Sequence, residues 1–106
     1  MQIDVINKIK EVAAVVFPNK EGIVLLYGSR ARGDNNKNSD WDLLIITQET
    51  ISTQEKFDKY ISPFSEIGWI LEENIVPINY SKTEWKSQSH GLFYKNVMAD
   101  SITIWA

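Results

Sequence analysis

Cysteine is absent and histidine occurs once, at His90, so disulfides, thiolate metal sites and histidine clusters are all excluded. Any metal must be held mainly by oxygen. A basic surplus is missing too: 11 Lys and Arg against 14 Asp and Glu give a net charge of -3 and a pI near 5.1. That balance argues against a broad footprint for duplex nucleic acid, which needs many phosphate contacts. No run approaches the roughly 20 apolar residues that span a bilayer, and no basic segment followed by an apolar signal stretch opens the chain. The expectation is a cytoplasmic protein without a membrane partner.

What is present suits one globular core. Apolar residues make up 43% and charged residues 24% of 106 positions, so residues 1–106 are expected to form a single domain. Val5, Ile6, Ile9, Val12, Ala13 and Val16 recur at helical spacing and stop before Pro18, which predicts an amphipathic first helix. Ile23 to Tyr27 is a β-branched apolar run ending at Gly28, the pattern of a strand buried on both faces. The chain then turns sharply. Residues 33–39 are polar turn formers and predict a surface loop, after which Trp41 to Thr47 reads as a second strand.

Residues 53–71 carry helical spacing that Pro63 must kink or divide. Ile75 to Tyr80 reads as a third strand, and Pro77 favours the sheet edge or a bulge. Ser81-Lys82-Thr83-Glu84 has the capping-box pattern of a helix start, and a helix through Leu92 to Met98 and a strand at Ile102 to Trp105 follow.

Asp40 and Asp42 stand two apart at the start of the second strand, so both carboxylates project from one face with backbones about 7 Å apart. Hard oxygen ligands of this kind suit Mg²⁺, with Mn²⁺ as a substitute. Without a cation the two acids repel one another and one pKa rises. The Gly28-Ser29 turn supplies backbone N–H groups and a hydroxyl for phosphate oxygens. Arg30 and Arg32 lie beside it, able to fork onto phosphate, with a structural salt bridge as the other use for one of them.

Gly28-Ser29-Arg30-Ala31-Arg32-Gly33, ten residues after Ser29 leading to Asp40-Trp41-Asp42-Leu43, resembles the signature of minimal nucleotidyltransferases in the DNA polymerase beta superfamily. The resemblance is sharpest over residues 22–47. It implies an α/β (α+β) fold, with a small mixed sheet flanked by helices. It also implies magnesium-dependent transfer of a nucleoside monophosphate from an NTP, ATP above all, to a hydroxyl. Carried onto this chain, Gly28, Ser29, Arg30 and Arg32 hold the nucleotide, and Asp40 and Asp42 are the catalytic metal ligands. In resembling families the partner is often a helical HEPN-domain protein, the nucleotidyltransferase being the antitoxin of a toxin-antitoxin pair.

Members of that superfamily usually carry a third carboxylate on a later strand. Here that strand contains no acid. Asn79 is the nearest polar candidate for the facing position, with Glu72 or Glu73 as substitutes if the strand starts earlier. The alternative function is therefore a weak or inactive module that neutralises a HEPN-type partner by contact. His90 reads as a surface residue before Gly91. Trp69, Trp85, Phe93, Tyr94 and Trp105 read as core or subunit-interface residues, with stacking on a base as their other use, which leaves an oligomer open.

Overall fold

The amphipathic first segment forms helix α1 (Gln2–Val16), and the apolar run after it forms strand β1 (Ile23–Tyr27). The computed structural model describes residues 2–19, 21–48 and 53–106. Residues 29–32, read from sequence as part of a turn, close into a short helix α2 (Ser29–Arg32). The physical reason is local, because the Gly28 carbonyl accepts from both the Ala31 and Arg32 amides at 3.1 Å. Strand β2 (Trp41–Thr47) follows the polar loop.

The divided helix takes a form that Pro63 explains. A four-residue α3 (Thr53–Lys56) runs into a π-helical stretch (Phe57–Ile61), and α4 (Ser62–Leu71) restarts with Pro63 in its first turn. Proline has no amide to donate, and the wider turn bridges that point as Ser62 N–H donates back to the Phe57 carbonyl. At the other end of α4, a Cβ on Gly68 would stand 2.5 Å from the Glu73 carbonyl oxygen. Glycine there lets the 72–74 turn fold tightly back onto the helix.

Strand β3 (Ile75–Ser81), α5 (Lys82–Ser87), α6 (Leu92–Asp100) and β4 (Ile102–Trp105) complete the order. The Ser81–Glu84 capping box is formed in both directions. The four-stranded sheet runs β3-β2-β1-β4. β1 pairs antiparallel with β2 and β4, while β2 and β3 are parallel, so the sheet is mixed. Pro77 lies on the β3 edge, where a missing donor is tolerated.

Pleating separates two packed layers. One face presents Val24, Leu26, Trp41, Leu43 and Ile45 to Ile9 and Ala13 of α1 and to Phe64 and Ile67 of α4. The other presents Leu25, Leu44 and Ile46 to Trp85 of α5 and Val97 of α6. Asp42 belongs to this second face, opposite the last residue of β1, and is only partly buried.

These packing differences set opposite expectations for two aromatic residues of α4. Phe64 is fully buried, whereas Trp69 is 86% exposed. In urea unfolding, Phe64→Ala is expected to lower stability by about 3–5 kcal/mol. Trp69→Ala is expected to change it by no more than about 0.5 kcal/mol.

Candidate active site

β1 ends at Tyr27, whose partner across the antiparallel pair is Asp42. The next residue, Gly28, is thereby laid against the Asp42 side chain. Its backbone takes φ 78° and ψ -159°, a region open essentially to glycine alone. A Cβ at this position would stand 2.5 Å from Asp42 Oδ2. Glycine is therefore required twice, for the turn and for the space beside the carboxylate. Beyond it, Ala31 and Arg32 donate back to the Gly28 carbonyl, which leaves the Ser29 and Arg30 amides outside the ladder of the helix, and Ser29 adds its hydroxyl.

Asp40 lies just before β2 and is exposed; its Oδ1 accepts from Asn74 Nδ2 at 2.6 Å. The Asn74 carbonyl also accepts from the Trp41 amide at 2.8 Å, so one residue orients Asp40 and fixes the strand start. Asp42 is half-buried, and its carboxyl is raised above the ordinary value by burial and then by the charge of Asp40. The Arg32 charge opposes this rise. Tyr27 is pushed up to about 12 by burial, Asp42 and Tyr80, so its phenol keeps its proton. Two acids that repel, set beside a glycine-lined gap, fit an oxygen-preferring divalent cation. No group of three or more His, Cys, Asp or Glu stands ready to hold a metal among the described residues, so water and phosphate would complete the coordination.

The two arginines part company. Arg30, expected from sequence at the nucleotide, has a side chain only 5% exposed. Its guanidinium donates to the Ser39 carbonyl at 3.0 and 3.3 Å and lies 3.6 Å from Glu73 Oε1 and 4.3 Å from the Trp41 ring. Those contacts use the fork internally and tie the loop before Asp40 to the 72–74 turn. Arg32 is the more exposed of the two, 3.2 Å from Asp34 Oδ2 and 3.9 Å from Asp100 Oδ2.

Comparison with known proteins agrees with this arrangement. Residues 7–105 match the family described as Polymerase beta, Nucleotidyltransferase. A Methanocaldococcus jannaschii protein bearing the name protein adenylyltransferase is 37% identical over 83 residues, covering 76% of this chain and 81% of its own. The chain belongs to the polymerase beta nucleotidyltransferase family. A chain from a toxin-antitoxin crystal structure with AMP-PNP shares the fold at a TM-score of 0.67 and 19% identity, over 95% of this chain and 73% of that one. A mutant of the toxin-antitoxin pair MntA-HpeT matches at a TM-score of 0.66 and 17% identity, with the same coverage of 95% and 73%.

In this nucleotidyltransferase the residue facing Asp42 on β3 is Val76, with Ile78 next on the same face. Asn79 pairs with Ile45 and so belongs to the opposite, helix-covered face, where its Nδ2 donates to the Ile45 carbonyl at 2.8 Å. It does not stand in for a third ligand. Glu73 is committed elsewhere, accepting from Trp41 Nε1 at 2.7 Å, and Glu72 is an exposed helix cap with φ 56°. His90 is exposed, as its sequence context implied.

Sequence reasoning missed the positioning roles of Asn74 and Glu73, which lie more than thirty residues from their partners. The one signal available was topological. A parallel β2–β3 pairing brings the start of β3 beside the start of β2.

The raised Asp42 carboxyl has a signed consequence for stability. Between its ordinary value of 3.8 and its raised value, the native chain binds more protons than the unfolded one, so stability falls as pH rises through that interval and stays reduced above it. Without divalent cations, Asp42→Asn is expected to raise the urea midpoint at neutral pH. That gain should vanish in acid below the ordinary carboxylate value, and Mg²⁺ should raise the midpoint of the parent alone.

Proposed function

We propose that this nucleotidyltransferase moves AMP from ATP to a hydroxyl of a partner protein, with Mg²⁺, or Mn²⁺ in its place, held by Asp40 and Asp42. The observation that carries this reading is the seating of Gly28 against Asp42, which sets a phosphate-accepting turn and a paired-acid cation site side by side. In the reaction the acceptor oxygen forms a bond to the α-phosphorus, the bond to the bridging oxygen breaks, and pyrophosphate leaves with that electron pair. The hydroxyl proton passes to water. A bound Mg²⁺ supplies charge stabilisation to the phosphoryl oxygens. The amides after Gly28 and the Ser29 hydroxyl donate to the phosphate chain, and Arg32 adds a cation at its flank. Asn74 keeps the Asp40 carboxylate aimed. Arg30 holds the loop that delivers both acids.

A protein acceptor is supported by the name of the Methanocaldococcus jannaschii relative, and a toxin-type partner of the helical HEPN class by the toxin-antitoxin structures that share the fold. The exposed Trp69 and Ile70 on α4 offer apolar surface for such a contact. A second reading, a module that acts by contact alone, draws on the uncharged Val76 and Ile78 beside Asp42, where a third acid would complete the cation site.

Calorimetric titration separates these ideas. ATP is expected to bind the parent with Mg²⁺, and to bind neither with EDTA nor to a folded Asp40→Asn/Asp42→Asn variant. Equal binding in all three conditions, or none in any, removes the nucleotide reading. For the acceptor step, a co-purified partner should gain the mass of AMP from the parent and not from Asp42→Asn; neutralisation that persists without added mass favours contact alone. Val76→Asp places a carboxylate opposite Asp42 and is expected to speed transfer by about a hundredfold, the lower end of the range for positioned acid–base groups.

A further inference from the structure

A cavity of about 210 Å³ opens beside Gly28 and is lined by Tyr27, Gly28, Arg32, Phe93, Asn96 and Asp100 among others. We propose that it receives the base and ribose of the nucleotide, with Asn96 of α6 as the residue that reads the base. This rests on the nucleotide reading above and extends it to a specificity site.

Contiguity is the first ground. Gly28 and Arg32 belong both to the cavity wall and to the proposed phosphate cradle, so a group attached to the phosphates enters this space without crossing other structure. Sheet order is the second. In the order β3-β2-β1-β4 the cavity lies on the β1 side of Asp42, whereas Val76 and Ile78 flank Asp42 from β3. The β3 side is thus left for the incoming acceptor, and nucleotide and acceptor approach from opposite flanks. In-line displacement sets the acceptor opposite the leaving pyrophosphate and leaves the nucleoside as an equatorial substituent on the α-phosphorus, free to lie to the side.

Wall chemistry is the third ground. Tyr27 and Phe93 meet edge to face at 5.5 Å and 84°, giving an aromatic side to the cavity. The exposed Asn96 carries both a donor and an acceptor, the pair of functions with which an asparagine amide can engage N6 and N7 of adenine. Asp100 is acceptor-only when ionised, suited to ribose hydroxyls, and its Oδ2 lies 3.9 Å from Arg32 Nη1. A larger cavity of about 370 Å³ lies further along the same face, lined by Ile23, Leu25, Ile46 and Trp85, and touches neither Gly28 nor Arg32.

The test compares Mg²⁺-ATP with Mg²⁺-tripolyphosphate, by calorimetry, on the parent, Asn96→Ala and the cavity-filling Asn96→Tyr. The parent is expected to bind ATP more tightly than tripolyphosphate. Both variants should lose about tenfold or more in ATP affinity, Asn96→Ala by giving up the base contacts and Asn96→Tyr by filling the space, while their tripolyphosphate affinity stays unchanged. If the parent binds the two ligands alike, or the variants leave ATP affinity untouched or weaken both ligands equally, the base site is overturned and the phosphate cradle stands. If neither ligand binds the parent, the nucleotide reading itself falls and the base site with it.

Discussion

Tyr27 pairs with Asp42 across β1 and β2, and the whole site depends on that register. A slip of one residue would turn Asp42 toward the helix-covered face, since strand side chains alternate strictly. It would also carry Gly28 away from the carboxylate it now touches. The register is held by what lies behind it: Leu25 opposite Leu44 and Leu26 opposite Leu43 send their side chains to different hydrophobic layers. Moving either strand by one position would exchange those layers, and the burial of both would be lost.

A second constraint fixes the acids along the chain. Arg30 is nearly enclosed, and a buried guanidinium must be satisfied by nearby oxygen or aromatic faces. The Ser39 carbonyl, Glu73 and the Trp41 ring do this together. The polar loop between α2 and β2 thus ends at a tether immediately before Asp40. The same knot reaches β3, because Glu73 bonds Trp41 and Asn74 bonds Asp40. One buried cation therefore links the glycine turn, the acidic strand and the turn after α4.

The two faces of the sheet divide structural and chemical duties. α1 and α4 cover one face with aliphatic and aromatic side chains, under which Leu43 and Ile45 are fully buried. On the other face α5 and α6 cover the middle of the sheet, while Tyr27 and Asp42 lie at its end. Burial there is partial, enough to raise the Asp42 carboxyl and the Tyr27 phenol. Intermediate burial strengthens electrostatic interactions there relative to bulk water.

Much of this was legible along the chain. The run Ile23 to Tyr27, the Pro18 stop, the Pro63 break, the Ser81–Glu84 box and the Gly28 to Asp42 spacing are local signals, and local sterics and hydrogen bonding enforce them wherever the chain is placed. They fixed where most of the elements lie and which acids and which glycine share one segment; the mixed sheet came from the family resemblance, and Pro77 left an edge or a bulge open until β3 proved to be an edge strand. The partners of those residues were not legible. Arg30 and Arg32 look equivalent in sequence, and only folding shows one enclosed by Ser39 and Glu73 and the other left near solvent. Asn79 looked like a neighbour of the acids until the parallel β2–β3 register put it opposite Ile45 and set Val76 beside Asp42. Sequence by itself determined the elements and the paired acids, because those follow from interactions between near neighbours. Tertiary structure decided which side chains serve the site and which hold it, because strand register and burial are settled by contacts between segments far apart in the chain.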